Sequence, residues 1–212
     1  MANRITLLRI ILLFVAIGFI YTYTVPGELI AFGMVLVVFL LDGLDGAIAR
    51  REGRADETGA VMDIFGDRVV ENALWIVLAH IGLIPVWVPI VVMVRGLATD
   101  AVRSMARTRG DTAFGKKTMM FSKIGRWVVA SRASRAVYAA AKAIAFGYLL
   151  LYLALIQAQV RGMDLGEMEN WLPWTYKFGM WLVYFTVAFC LARGLPVLVE
   201  GRRYVRIETK QG

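Results

Sequence analysis

Four aspartates, Asp42, Asp45, Asp63 and Asp67, stand close together in a chain that is otherwise strongly apolar. Carboxylates are costly at membrane depth, so a group of them calls for a physical reason. Asp42 and Asp45 are three residues apart and share a helix face, which Ala49 continues at i+7. Gly59, Asp63 and Asp67 follow one another at four-residue steps, again along one side of a helix. The stretch RREGRADET between the two sets is polar and charged, and reads as a turn joining two antiparallel helices. Such a hairpin gathers the four acids into one pocket. Oxygen-only ligands suit hard cations, so the pocket would hold Mg²⁺ or Mn²⁺ rather than zinc or copper. Four carboxylates in a low dielectric should not all ionise without a counter-ion, and one or two divalent ions supply it. The same ions would clamp a pyrophosphate and stabilise charge developing in phosphoryl transfer. Gly46 and Gly59 leave room for backbone and ligand to approach. Arg50, at the mouth of the hairpin, could meet a phosphate. Any one of these acids alone would read equally well as a helix cap or a solvated charge. Together, at these spacings, they do not.

The elements that must position these acids are long and apolar. Hydrophobic residues make up 59% of the 212 and charged ones only 19%, against an ordinary apolar share of about 45–50%. That composition predicts an all-α, polytopic membrane bundle. Six stretches are long enough to span: 5–22, 29–49, 59–83, 85–107, 136–158 and 171–192. Pro26–Gly27, Gly82–Pro85 and Gly162–Pro173 mark turns between them. Arg4 and Arg9 precede the first apolar run, but no small-residue cleavage site follows, so it reads as a retained transmembrane helix. Residues 1–212 are expected to form a single integral-membrane domain. The lone Cys190 lies in an apolar run and His80 ends one, so neither suggests a zinc site.

The net charge of +8 points to the anionic membrane surface rather than to nucleic acid. Basic residues concentrate between the second and third spans (Arg50, Arg51, Arg54), between the fourth and fifth (Arg107 to Arg126), and after the sixth (Arg193 to Lys210). The other side carries Glu28, Asp164, Glu167 and Glu169, with Arg161 and Lys177. The positive-inside rule then puts both termini and the acids on the cytoplasmic face. Residues 111–135 mix Lys117, Lys123, Arg126 and Arg132 with Met119, Met120, Phe121, Ile124 and Trp127. They read as a juxtamembrane amphipathic helix, or as a cytosolic extension of the fifth span.

The pattern Asp42-x2-Asp45-Gly46-x2-Ala49-Arg50-x8-Gly59-x3-Asp63-x3-Asp67 resembles the full signature of the CDP-alcohol phosphotransferase family. The resemblance implies a six-helix membrane bundle, commonly homodimeric; the expected location is a bacterial inner membrane, with the active site and both termini facing the cytoplasm. It implies that Asp42, Asp45 and Asp63 ligate metal and that Asp67 is shared between a second metal and general-base duty. It implies too that Gly46, Ala49, Arg50 and Gly59 line the CDP moiety. The implied reaction displaces CMP from a CDP-linked lipid, CDP-diacylglycerol, using the hydroxyl of a small alcohol. Many members carry Ser or Thr three residues before the second motif glycine, near the donor phosphates. Here that position is Asp56.

The acceptor is written less plainly. Arg132, Arg135 and Lys142 fall on roughly one side of a helix that begins early, and Arg95 and Arg103 make a similar stripe on the fourth span. These cations suit the phosphate of a phosphorylated acceptor, with headgroup snorkelling as the plain alternative for Arg132 and Arg135. The start, NRITLLRI, resembles that of phosphatidylglycerophosphate synthases, although those usually have Pro after the third acid, where this chain has Ile64. Glycerol 3-phosphate is the preferred acceptor; inositol phosphate, serine or phosphatidylglycerol would use the same chemistry. A membrane prenyltransferase also uses Asp clusters and Mg²⁺, but at other spacings. A cation transporter would not need its acids at a junction beside Arg50, Arg51 and Arg54.

Overall fold

The computed structural model describes residues 2–52, 57–108, 120, 122 and 125–208, with backbone alone at 2–4, 44–52, 57–58, 60, 126, 130, 132 and 203–208. Among the described residues all regular structure is helical. The long helices are α1 (Ala2–Ile20), α2 (Val25–Glu52), α3 (Glu57–His80), α4 (Trp87–Thr108), α5 (Arg132–Val160) and α6 (Met168–Glu208). A short π-helical turn, Arg126–Ala130, precedes α5. Each of the six apolar stretches of the sequence overlaps one of these helices, with different ends. Three of them contain segments long and apolar enough to cross a membrane: Val25–Gly43, Ala133–Val160 and Met168–Arg202. The apolar run of α1, Ile5–Ile20, is shorter. Helices α3 and α4 fall short because charges interrupt them, among them Asp63, Asp67, Arg68 and Glu71 on one and Arg95, Asp100 and Arg103 on the other.

The helix ends follow from local chemistry. Thr24 caps α2: its Oγ1 accepts the Gly27 N–H at 3.1 Å while its carbonyl accepts that of Glu28 at 2.9 Å. A Cβ at Gly27 would collide with Thr22 and Thr24, so the turn admits only glycine there. Helix α3 ends in a Schellman motif, with Gly82 at φ 79° donating to Ala79 and Leu83 donating to Leu78. Helix α5 ends the same way, through Gly162 (φ 71°) to Gln159 and Met163 to Ala158. Its start is set by Ser131, whose Oγ accepts the Ser134 N–H at 3.1 Å. That cap is why the fifth helix begins at Arg132, earlier than residue 136. Of the amphipathic segment expected over 111–135, residues 111–119, 121 and 123–124 lie outside the described residues, and the rest leads through the turn Arg126–Ala130 into α5. Met120 is buried and Trp127 is exposed.

The chain divides into two compact units. The first comprises Met1–Val86 and Ala143–Leu182. In it α1 packs on both α2 and α3. Thr6, Arg9, Leu13, Ala16 and Ile20 are the buried positions of α1, at alternating steps of three and four, so one stripe of the helix faces inward. Leu7, Ile11 and Phe14 on the other side are about half exposed. Trp75 from α3 and Phe39 from α2 both meet Phe146 of α5, with ring centroids 4.4 and 5.9 Å away. The Tyr148 hydroxyl bonds the Thr175 carbonyl at 2.9 Å and ties α5 to α6. His80 sits edge-on to Tyr21, 5.9 Å between rings, a structural contact.

The second unit comprises Trp87–Lys142 and Val183–Gly212. Here Gly194 and Gly201, seven apart on α6, face Arg95 and Val102, seven apart on α4. A Cβ at either glycine would overlap those side chains, so small residues set how closely the two helices pass. Val102, Ala106, Met120, Val129 and Val197 form the core beneath.

Candidate metal centre

The inner stripe of α1 changes character at its N-terminal end, where Thr6 and Arg9 replace the apolar residues. Gly66 on α3 makes room for this: a Cβ there would lie 2.5 Å from the Thr6 methyl. With α1 seated so closely, Arg9 reaches across to both neighbouring helices. Its guanidinium lies among three carboxylates. Nη2 is 2.6 Å from Asp42 Oδ1 on α2 and 2.9 Å from Asp67 Oδ1 on α3, and Nη1 is 3.6 Å from Asp63 Oδ1. The arginine side chain is 2% exposed, whereas the three acids are 33–50% exposed. The carboxylates therefore line an open site with the arginine beneath them.

One oxygen from each of Asp42, Asp63 and Asp67 lies within 4.8 Å of the others, a spacing that a single cation can bridge. All donors are hard oxygens, which fits Mg²⁺ or Mn²⁺ and not a soft transition metal. The hairpin read from the sequence thus brings three of its four acids together. The fourth, Asp45, lies on α2 as expected, with Gly46, Ala49 and Arg50; their side chains are outside the described residues, and so is Asp56. Gly59 is in the first turn of α3, half-buried.

Arg9 is the site residue that the sequence did not single out. In the sequence it stands, with Arg4, only as a basic residue ahead of the first apolar run. The available signal was its register: Arg9 falls on the Thr6, Leu13, Ala16, Ile20 stripe, so a buried α1 face had to bury the arginine with it.

The second unit holds a separate group of cations. Tyr138 of α5 is the shared partner of three: Lys142 Nζ lies 4.8 Å from its ring centroid, and the guanidinium carbons of Arg193 and Arg95 lie 5.4 and 5.9 Å away. Arg193 donates to the Ser134 carbonyl at 2.8 Å, and the charges of Arg95, Arg103 and Arg135 are near enough to act on it. Arg103 also pairs with Asp100 at 3.4 Å. Of the cations expected for an anionic acceptor, Arg95 and Lys142 thus gather on one ring and Arg103 and Arg135 are close by, while the side chain of Arg132 is outside the described residues. Arg193 was expected in the tail after the sixth span. Instead α6 continues through it to Glu208 and buries it, where the Tyr138 ring and the Ser134 carbonyl receive it.

Comparison with known proteins agrees with this geometry. Two relatives from strains of Mycobacterium tuberculosis, each named "Probable phosphatidylglycerophosphate synthase", are 27% identical over 126 residues, 57% of this chain. The chain spans 60% of the length of these relatives. The family model for CDP-alcohol phosphatidyltransferase matches residues 1–192, which takes in the first unit, the second as far as residue 192 and the whole aspartate hairpin. The chain belongs to the CDP-alcohol phosphatidyltransferase family.

Proposed function

We propose that this protein is a metal-dependent enzyme of phospholipid synthesis. It transfers the phosphatidyl group of CDP-diacylglycerol to glycerol 3-phosphate, giving phosphatidylglycerol phosphate and CMP. The observation that carries the reading is the convergence of Asp42, Asp63 and Asp67 on the hairpin that bears the family's motif. Mg²⁺ or Mn²⁺, two ions held by Asp42, Asp45, Asp63 and Asp67, would neutralise the donor pyrophosphate and the charge building on the leaving CMP.

The chain's own residues do the rest. Gly46, Ala49, Arg50 and Gly59 hold the CDP moiety, with Asp56 at the edge of the donor phosphates. Asp67 takes the proton of the acceptor hydroxyl as that oxygen attacks the phosphorus bearing the diacylglycerol. The bond from that phosphorus to the CMP oxygen breaks, and CMP leaves with the electron pair. The buried Arg95 and Arg193, with Arg103, Arg132, Arg135 and Lys142 adding positive charge, favour an acceptor that brings its own phosphate, because a buried guanidinium recognises such an anion strongly. The names of the two mycobacterial relatives support glycerol 3-phosphate among such acceptors.

The same reading has all six helices crossing the membrane, both units forming one domain over residues 1–212, and two copies assembling as a homodimer. The site and both termini face the cytoplasm of a bacterial cell membrane. Purified protein in lipid nanodiscs, given CDP-diacylglycerol and Mn²⁺, tests the acceptor. Release of CMP is expected with glycerol 3-phosphate and not with inositol 1-phosphate, serine or phosphatidylglycerol. Release with serine alone would remove the case for a phosphorylated acceptor.

A further inference from the structure

We propose that Arg9 is a tethered counter-ion of the aspartate site, competing with divalent cations for the same carboxylate oxygens and so setting how tightly they bind. This rests on the metal-site reading of Asp42, Asp63 and Asp67.

The argument is geometric. Asp42 Oδ1 and Asp67 Oδ1 contact the same guanidinium nitrogen, at 2.6 and 2.9 Å, and Asp63 Oδ1 lies 3.6 Å from its neighbour. A bridging cation would need oxygens of these same three carboxylates. The arginine is 1% exposed, so water screens it little, and a second cation among these acids would meet its charge at close range. Among the described residues, Arg9 Nε and Nη1 are buried without a hydrogen-bond partner, and the short contacts, to Asp42 and Asp67, both fall on Nη2. A buried guanidinium held by charge with spare donors is a partner that can be outcompeted.

Its placement argues against a merely structural charge. A structural arginine in an apolar helix would need one acid to satisfy it, whereas Arg9 spans two helices and three acids. The contacts tie α1 to both arms of the hairpin. The charge thereby holds the acids together when no cation does, and weakens each cation that enters.

The test is Mn²⁺ binding to the full-length protein in nanodiscs, read by electron paramagnetic resonance without lipid substrate. Arg9→Gln removes the charge while keeping a polar chain. Arg9→Lys keeps a charge that cannot bridge three carboxylates. The expected order of Mn²⁺ affinity is wild type, then R9K, then R9Q the tightest, with R9Q tighter than wild type by about tenfold or more. Without metal, R9Q should melt lower than wild type, and saturating Mn²⁺ should raise its melting temperature by more than it raises that of wild type. If R9Q fails to fold, R9K decides alone, since it too should bind Mn²⁺ more tightly than wild type. Affinity that is unchanged or weaker in the variants would overturn the competition and leave Arg9 as a support for the acids. Wild type that binds no Mn²⁺, or binds it equally well as Asp42→Asn and Asp67→Asn, would instead sink the metal site itself.

Discussion

At the residue scale, the chemistry rests on carboxylates whose spacing is written in the sequence and whose partner is not. Asp42, Asp63 and Asp67 were readable because helical periodicity alone puts them on converging faces. Arg9 was not, because a cation near the start of an apolar helix has an ordinary explanation at the membrane surface. Its register on the buried stripe of α1, seated closely against Gly66, is what turns it inward. The role assigned to Asp67 leads to a sharp expectation. Asp67→Asn should lower CMP release by on the order of 10²-fold or more, the usual worth of a general base, while CDP-diacylglycerol still binds. Near-normal turnover in that variant would move the base elsewhere. In the cation group, Arg95→Gln should raise the KM for glycerol 3-phosphate by on the order of tenfold, as expected for loss of a charged hydrogen bond, with the KM for CDP-diacylglycerol nearly constant. Equal rises in both would mean that Arg95 supports the fold instead.

Glycines decide the element scale, and their two kinds predict opposite effects. Gly66 and Gly201 sit where a side chain would strike Thr6 and Val102. Gly66→Val or Gly201→Val should cost about 1–3 kcal/mol by overpacking and lower the melting temperature. Gly18 on α1 and Gly33 on α2 have open space around them. Gly18→Ala and Gly33→Ala should leave activity alone and stabilise by up to about 1 kcal/mol through helix propensity. Thermal unfolding of the four variants in nanodiscs checks the sorting, and a stable Gly66→Val protein would contradict the close seating of α1. The helices themselves were legible, since runs of apolar residues broken by Pro26–Gly27, Gly82 and Gly162 mark them plainly. Their ends were less so. Helix α6 runs on past residue 192 through an arginine that hydropathy reads as a stop, because Arg193 finds Tyr138 and the Ser134 carbonyl inside the protein. Charge tells where a helix leaves the bilayer only when the charge has nowhere else to go.

For the whole molecule, the proposed orientation, argued from the positive-inside bias, would put the aspartates on the cytoplasmic side. The loop after α5, around Asp164 and Gly166, should then face outward. Asp164→Cys in intact cells should react with a membrane-impermeant maleimide, while Cys190, which is buried, stays unlabelled. Labelling of Asp164→Cys only after permeabilisation would invert the topology. The account's central claim is that the acids around Arg9 are a metal site for phosphatidyl transfer. Its most direct test is CMP release from CDP-diacylglycerol and glycerol 3-phosphate across a Mn²⁺ titration, comparing wild type with Asp42→Asn, Asp63→Asn and Asp67→Asn. Release should rise with metal in the wild type and be all but lost in each variant. Metal-independent release, or release that survives all three substitutions, would contradict it.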